Sequence, residues 1–457
     1  MLSSNVVAAL REIVGADNVL TDEADLVCYS YDATERWHMP EAVVFPRSAE
    51  EVSKVMKLAN EKKIPVTPRG AGTDLAGGPI PIKGGIVLAF DFMNKIIEFD
   101  EANRIVTVEA GLTLRELNVF LQKKGYYFPV DPGSSPSATI GGMISTNASG
   151  MHSPKYGTIG NHTLGLEVVL PTGEIIKTGS KCLKCVSVGL LLTRLFIGSE
   201  GTLGIITKAT LKVYIPPKFY SVAMGSYADI KAAGRAISEV IRRGVPVSAV
   251  EYLDGNIVKM IRDFTKLPLP DVAAMVFVEC DGTEEEVNQN LAIVEEILKK
   301  EAVKLERSKT KEEADRLWVA RKAAFGTISR LKPTAITEDP SVPVSKLPEY
   351  IGRLDEIAKK HNITIITYGH AGEGNLHPVL MVDERNKEEF ARAREAIPEI
   401  FRAALELGGT LTGEHGIGLS KADYVEWEYG KEGVDVIRKI KQALDPNNIL
   451  NPGKMGL

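Results

Sequence analysis

The sequence is short of the features that mark several large protein classes. Its 457 residues include only four cysteines, too few for a disulfide framework in a chain of this size. No uninterrupted apolar run reaches the roughly 18–20 residues that a membrane-spanning helix needs. The 55 basic and 60 acidic residues leave a net charge of −5, without the basic clusters of nucleic-acid-binding proteins. The N-terminal segment lacks the pattern of a signal peptide. We therefore expect a cytoplasmic protein, free or held at a membrane by a partner.

The common nucleotide and metal motifs are also absent. No G-K-[ST] follows a glycine-rich loop, which excludes a P-loop, and no G-x-G-x-x-G opens a helix, which excludes a Rossmann fingerprint. Cys182 and Cys185 form a lone C-x-x-C pair. Because a second pair is missing, zinc or iron–sulfur ligation is not expected, and we attribute the pair to packing or chance.

The periodicity of the sequence predicts an α+β fold in more than one domain. Residues 40–214 alternate short β-rich runs with helical stretches. The segment IPPKF at 215–219 is typical of a domain boundary. Beyond it, longer helices and strands indicate an antiparallel sheet with helices on one face. We predict a first domain at 1–214, a second at 215–410 and a C-terminal segment at 411–457.

Three glycine-rich segments carry the first functional signal. The first, PRGAGTDLAGGPIP, covers 68–81, and glycines after a strand let backbone N–H groups turn towards an anion. The second covers 131–162 and has almost no charge, which indicates either a tight inner loop or a wall around a large flat ligand. The third, FIGSEGTLGIIT, covers 196–207. On chemistry alone, anion binding and plain loops both remain open.

Two histidine motifs carry the second signal. YGHAGEGNLHP places His370 and His377 on either side of a glycine-containing loop, and LTGEHGIGLSK contains Glu414 and His415. Two imidazoles and a carboxylate form a plausible site for Zn, Mn or Fe. Glu414 is the favoured carboxylate, because His415 is then left for acid–base chemistry, and Glu373 is its rival. Loop hydrogen bonding is an equally good interpretation from spacing alone.

Together, the three glycine-rich segments resemble the FAD-binding module of the vanillyl-alcohol oxidase superfamily. The resemblance implies a PCMH-type FAD-binding domain of two α+β subdomains, followed by an antiparallel-sheet cap domain that holds the substrate. The C-terminal segment would return to the FAD domain. Arg69 precedes Gly70 where some members carry a linking residue, and His152 has no clear counterpart, so we expect non-covalent FAD. By this resemblance, the predicted FAD-binding residues are Arg69, Gly70, Ala71, Gly72, Thr73, Pro132, Gly133, Thr139, Gly141, Gly142, Asn147, Gly150, Tyr156, Gly157, Glu200, Gly201 and Ile206.

The histidine motifs resemble the signature of the FAD-linked D-2-hydroxyacid dehydrogenases, which include D-lactate dehydrogenases and the corresponding polypeptide of glycolate oxidase. This resemblance spans nearly the whole chain, including the closing turn LDPNNILNPGK. It implies that the metal ligands are His370, His377 and Glu414 and that His415 is the catalytic base. The family's W-x-x-R segment matches Trp318 and Arg321, where the arginine pairs with the substrate carboxylate. Enzymes for D-2-hydroxyglutarate carry a lysine near Thr337 for a second carboxylate, and none stands here, which favours a monocarboxylate.

The expected reaction is therefore FAD-dependent oxidation of D-lactate or glycolate to the 2-oxo acid, with hydride transfer to flavin N5. The sequence has no NAD fingerprint, so the electrons should pass to an electron-transfer flavoprotein, a quinone-linked subunit or an iron–sulfur subunit. Two alternatives stay open. One is a flavin-dependent transferase of the alkylglycerone-phosphate synthase type, and the other is a non-catalytic FAD-carrying subunit of a larger oxidase.

Overall fold

The structure is a computed structural model that describes residues 2–182, 187–328 and 330–457. Its strands are β1 (Val19–Leu20), β2 (Ala42–Val44), β3 (Val66–Arg69), β4 (Ile86–Ala89), β5 (Ile96–Asp100), β6 (Ile105–Glu109), β7 (Thr163–Val169), β8 (Ile175–Gly179), β9 (Ile205–Lys212), β10 (Phe219–Tyr227), β11 (Ala249–Asp254), β12 (Ala274–Gly282), β13 (Lys304–Arg307), β14 (Thr334–Thr337), β15 (Thr364–Gly369) and β16 (His377–Val382). Its helices are α1 (Ser4–Val14), α2 (Glu23–Leu26), α3 (Ala49–Lys62), α4 (Leu114–Gln122), α5 (Ile140–Thr146), α6 (Ser153–Tyr156), α7 (Ile159–His162), α8 (Leu192–Phe196), α9 (Ile230–Arg242), α10 (Gly255–Thr265), α11 (Glu284–Leu298), α12 (Lys311–Ile328), α13 (Leu347–His361), α14 (Lys387–Glu406) and α15 (Val425–Leu444). The predicted α+β class is confirmed.

The chain forms two compact units. The first contains residues 1–149, 158–216 and 414–457, and the second contains 150–157 and 217–413. The sequence placed its boundaries at 214/215 and 410/411. It did not indicate that the short stretch 150–157, inside the second glycine-rich segment, groups with the second unit. The functions assigned to these ranges stay predictions.

A four-stranded sheet with the order β1-β2-β4-β3 opens the first unit. Strands β2 and β3 each pair in parallel with β4, and every residue of β2 and β4 is buried. Continuous apolar runs are typical of parallel strands covered on both faces. Helix α3 links β2 to β3 and begins after Ser48, whose hydroxyl accepts a hydrogen bond from the Glu51 N–H. Since β3 ends at Arg69, the first glycine-rich segment follows directly from this sheet.

A second sheet of the first unit has the order β5-β6-β9-β7-β8, and its strand pairs are antiparallel. Burial alternates along the second half of β9, as expected for a strand with one face on the core. Helix α4 begins with a capping box, in which Thr113 and Glu116 each bond the other's backbone N–H. The two sheets agree with the two α+β subdomains that the sequence predicted.

Helix α5 lies within the charge-poor segment 131–162, where the sequence indicated only loop. It begins after Thr139, whose hydroxyl accepts the Gly142 N–H at 3.3 Å. It ends at Asn147, which has a left-handed φ of 55°. The Gly141 N–H donates to the Ala110 carbonyl at 2.7 Å, and a Cβ on Gly141 would lie 2.7 Å from the Ala110 Cβ. The small residues that hide this helix from a periodicity analysis therefore allow its close packing.

The second unit contains a seven-stranded sheet with the order β13-β10-β12-β11-β15-β16-β14. Its strand pairs are antiparallel, as predicted. Met275 and Phe277 of β12 pack with Trp318 of α12 in one apolar cluster. The alternate residues Val276 and Val278 are also fully buried, and helices α9 and α11 contact β10 and β12 as well. Both faces are therefore covered, which corrects the prediction of helices on one face.

Within the described ranges, no helix combines the length and the apolar character that crossing a bilayer requires. The predicted Cys182–Cys185 pair falls partly outside these ranges. Cys182 is exposed and has a free thiol, whereas Cys185 lies outside the described residues.

Candidate active site

One buried carboxylate in the second unit connects the predicted metal-binding and substrate-binding residues. Glu251 stands in the middle of β11 with a fully buried side chain. One of its oxygens pairs with His370 Nδ1 at 2.6 Å, and the other accepts the Arg321 Nε–H at 2.5 Å. The ring centroids of His370 and His377 are 5.2 Å apart and nearly perpendicular. The structure thus brings together three residues that the sequence singled out, through a fourth that it missed.

The charges around Glu251 favour its ionised form. Burial opposes ionisation, but the Arg321 guanidinium and His370 offset it and hold the pKa of Glu251 at about 2. The Arg321 guanidinium carbon also lies 5.0 Å from the centroid of the Tyr368 ring, within range of a cation–π contact. Arg321 is therefore held from two sides in an environment with little water.

The loop between the two histidines is fixed by its own backbone. Strand β15 ends at Gly369, His370 follows it, and β16 begins at His377. Gly374 has a φ of 79°, and an added Cβ would meet the Val342 carbonyl oxygen. Asn375 donates to the Asp339 carbonyl at 2.8 Å and to the Ser341 hydroxyl at 3.0 Å. Both imidazoles are consequently buried, while Glu373 within the loop is exposed.

The stretch 150–157 is bound to strand β12 of the second unit. His152 Nε2 lies 3.1 Å from a Glu279 oxygen, and the other Glu279 oxygen accepts the Trp318 indole N–H at 2.8 Å. The Tyr156 hydroxyl donates to Asp281 at 2.7 Å, and Lys155 forms a salt bridge with Asp281. The predicted flavin-wall residues of this stretch and the W-x-x-R helix are thus attached to the same strand.

The motif that contains Glu414 and His415 is held within the first unit. Glu414 accepts a hydrogen bond from the Ser149 hydroxyl at 3.1 Å, and its other oxygen lies 3.8 Å from His415 Nε2. Glu200 accepts the N–H groups of Ile417 and Gly418 at 2.6 and 2.7 Å. Burial and the nearby Asp74 raise the pKa of Glu200 to about 7. Glu200 therefore ties the third glycine-rich segment to the C-terminal segment.

The three glycine-rich segments meet within the first unit. In the first two, an added Cβ on Gly70 would collide with the Thr139 side chain. The second and third are joined by the N–H groups of Gly198 and Glu200, which donate to the carbonyls of Ile144 and Ser145 at 3.0 and 2.8 Å. The resulting surface is built from glycine, small side chains and backbone.

This surface fits a large ligand that approaches the backbone. An added Cβ on Gly133 would meet nothing within 4 Å, and one on Gly142 would meet only the Thr139 hydroxyl, at 3.1 Å. Gly72 has a φ of 69°, and an added Cβ would collide with the Arg69 guanidinium, which itself donates to the Tyr31 carbonyl at 2.7 Å. Glycines that border open space on one side and an arginine on the other suit an anionic, planar cofactor such as FAD.

The remaining predicted residues lie in both units. Asn147 accepts the Thr158 hydroxyl and the Gly160 N–H at 2.9 and 3.1 Å. Ile206 is buried in β9, and Gly201 has a φ of 68° against Pro68. The residues that the sequence analysis missed are the acidic Glu251, Glu279 and Asp281. Their only signal was a carboxylate inside an otherwise apolar strand, AVEYLD or AMVFVECDG.

Comparisons with known proteins agree with this architecture. Residues 40–179 match the profile of a FAD binding domain, and residues 216–455 match that of the FAD linked oxidases, C-terminal domain. The glycolate oxidase subunit GlcD of Bacillus subtilis is 43% identical over 100% of this chain and 97% of its own length. A probable mitochondrial D-lactate dehydrogenase of Danio rerio is 35% identical, over 98% of this chain and 91% of its own.

Solved structures share the fold at lower identity. p-Cresol methylhydroxylase matches with a TM-score of 0.83 and 22% identity over 99% of this chain and 96% of its own. Alkyldihydroxyacetonephosphate synthase matches with a TM-score of 0.78 and 20% identity over 99% and 86%. These likenesses show the fold alone and confirm the PCMH type. Because one profile covers more than half of the chain and a close relative spans all of it, this chain belongs to the FAD-linked oxidases and is a FAD-dependent enzyme.

Proposed function

We propose that this enzyme oxidises a small D-2-hydroxy acid, D-lactate or glycolate, to the corresponding 2-oxo acid. The observation that carries the proposal is the Glu251-centred group, in which one buried carboxylate holds both Arg321 and His370. A cation for the substrate carboxylate and an imidazole for a metal are the groups that this substrate class requires. The names of the two relatives described above support the same substrates.

Arg321 is proposed to bind the substrate carboxylate. Its Nε–H is engaged by Glu251, which directs the end of the guanidinium that carries the two Nη atoms away from the strand. That end matches a carboxylate in a bidentate pair. The nearest lysine before Thr337 in the sequence, Lys332, pairs with Glu389 at 3.0 Å. We therefore propose a monocarboxylate, because the chain offers no obvious cation for a second carboxylate at this position.

His370, His377 and Glu414 are proposed to hold a divalent metal, with Zn, Mn and Fe all compatible with two imidazoles and a carboxylate. The pairing of His370 Nδ1 with Glu251 leaves Nε2 as the ligand atom. Glu373 is exposed, which makes it the weaker choice. Glu414 directly follows Gly413, whose N–H donates to Asp339 at 3.0 Å. A bound metal ion would lower the pKa of the substrate hydroxyl.

His415 is proposed to take the hydroxyl proton. Imidazole titrates near physiological pH and is the commonest general base, and the Glu414 oxygen 3.8 Å from Nε2 favours the protonated ring that the transfer creates. Bound FAD would accept the α-hydrogen as a hydride. The substrate thereby loses one proton to His415 and one hydride to the cofactor, and it leaves as the 2-oxo acid.

The glycine-rich surface of the first unit is proposed to bind FAD without a covalent bond. Arg69 to Thr73 would hold the pyrophosphate, and the segment from Pro132 to Gly157 would line the ribityl chain and the ring. Arg69 is a poor linking residue, and His152 is paired with Glu279. For the electrons we propose a separate acceptor protein, which is an electron-transfer flavoprotein, a quinone-linked subunit or an iron–sulfur subunit.

Flavin reduction without oxygen tests the proposal. The FAD-loaded enzyme is mixed with D-lactate, glycolate, L-lactate or D-2-hydroxyglutarate, and the visible flavin absorbance is followed. D-Lactate or glycolate should bleach the flavin, with kcat/KM at least about tenfold above that for D-2-hydroxyglutarate, because a second buried carboxylate without a cation is costly. Comparable values would refute the monocarboxylate preference. A flavin that no 2-hydroxy acid reduces would contradict the dehydrogenase and favour the transferase or the non-catalytic subunit.

A further inference from the structure

Glu251 has contacts that set it apart from the other buried acids of the second unit. Each of its oxygens meets a different functional side chain, His370 at 2.6 Å and Arg321 at 2.5 Å. These partners come from sequence positions 119 and 70 residues away. Asp254, on the same strand, instead caps helix α10 through the Ile257 N–H and accepts the Thr367 N–H. A backbone-capping role is therefore not what places Glu251 at its position.

We propose that Glu251 is a positioning residue that sets the tautomer of His370 and the orientation of Arg321 together. The proposal rests on the function proposed above and names a residue through which its metal-binding and substrate-binding parts are coupled. Glu251 touches neither the substrate nor the metal in this scheme. It acts through its two partners.

The effect on His370 follows from hydrogen-bond chemistry. A carboxylate beside a guanidinium only accepts hydrogen bonds, so Nδ1 of His370 must carry the proton. Nε2 then presents its lone pair, which is the form that binds a metal. A carboxylate on the far nitrogen also makes the imidazole a stronger ligand and fixes the ring plane.

The effect on Arg321 follows from the shape of its side chain. The bond to Nε holds the guanidinium along one edge, and the Tyr368 ring lies 5.0 Å from its central carbon. Two such contacts define the plane of the group. A planar donor pair that is fixed in advance binds a carboxylate without a further loss of side-chain entropy.

Glutamine at this position can satisfy one partner but not both. If its carbonyl oxygen faces Arg321, its amide group faces His370 as a donor and forces the proton to Nε2, where it blocks the metal. If the oxygen faces His370, the amide opposes the Arg321 Nε–H, donor against donor. Aspartate keeps two acceptors on a side chain one methylene shorter. The pair Glu251→Gln and Glu251→Asp therefore separates acceptor chemistry from side-chain volume.

The test uses the FAD-loaded protein and three variants, Glu251→Gln, Glu251→Asp and the control Asp254→Asn. The control removes a buried charge from the same strand without touching either partner. Zinc or manganese affinity is measured by competition with a chelator. Glu251→Gln should lower it about 10- to 100-fold, as such outer-shell changes do, and should raise the half-saturating D-lactate concentration. Glu251→Asp should recover part of both, and Asp254→Asn should change neither. Unchanged metal affinity in a folded Glu251→Gln protein would overturn the proposal.

A second measurement needs no Glu251 variant. Nitrogen NMR of histidine-labelled wild type, with His370 assigned by its loss in His370→Gln, should show the proton on Nδ1 in the metal-free protein. A proton on Nε2 would overturn the proposal even if the variants fail to fold. If the wild type binds no metal but His370 is protonated at Nδ1, the metal function fails and the positioning role of Glu251 stands. The two failures are thus distinguishable.

Discussion

Replacing Arg321 with lysine keeps a positive charge and removes the planar donor pair. The structure indicates two consequences. A single ammonium can stay beside Glu251 or reach the substrate carboxylate, whereas the guanidinium uses Nε for one and its end for the other. One charge-assisted hydrogen bond contributes roughly 1.5–3 kcal/mol. At about 1.4 kcal/mol for each factor of ten, Arg321→Lys should lower kcat/KM for D-lactate by about 10- to 150-fold.

The assay is rapid-mixing flavin reduction over a range of D-lactate concentrations without oxygen. We expect most of the loss in the half-saturating concentration, because Arg321 is proposed to bind the same carboxylate before and during hydride removal. Arg316→Lys is the matched control, because Arg316 is exposed on the same helix. Flavin content should be equal in all three proteins. A folded Arg321→Lys enzyme within twofold of the wild type would refute the assignment of Arg321 to the substrate carboxylate.

Three further predictions concern the cofactor, the lock between segments and the base. Acid precipitation should release all of the FAD into the supernatant, and flavin that stays with the pellet would contradict non-covalent binding. Because burial raises the pKa of Glu200 from 4.5 to about 7, its contribution to stability is greatest below pH 4.5 and is lost as the pH rises to 7. In urea unfolding, the stability difference between wild type and Glu200→Gln should therefore change across that window and stay constant above it, and a constant difference throughout would argue against the raised pKa. His415→Asn should keep FAD and metal and lose roughly 10²–10⁴-fold in the rate of flavin reduction, whereas loss of metal would make His415 a ligand.

The elements with clear periodicity could be predicted from the sequence. Helix α3 and strands β2, β3 and β15 lie where alternating and helical patterns placed them. Helix α5 was missed because its residues, IGGMIST, carry neither charge nor a helical apolar stripe. The antiparallel sheet of the second unit was predicted, but its coverage on both faces was not, because alternate burial and full burial differ little in so apolar a strand as β12.

The site was only partly predictable for a related reason. His370 and His377 share one loop, so short-range spacing was enough to pair them. Glu251 meets partners 70 and 119 residues away, and only the fold brings such positions together. The attachment of 150–157 to the second unit has the same origin, because the Tyr156–Asp281 hydrogen bond spans 125 residues. Sequence analysis finds local motifs, whereas the residues that position them are non-local.

The central claim is that a metal held by His370 and His377 takes part in the oxidation of the hydroxy acid. The most direct measurement is the rate of flavin reduction by D-lactate before chelation, after chelation and after metal is restored, with metal content determined in each sample. The account predicts that chelation removes a stoichiometric metal and abolishes reduction while FAD stays bound, and that Zn, Mn or Fe restores the rate. A metal-free enzyme that reduces its flavin at the full rate would contradict it.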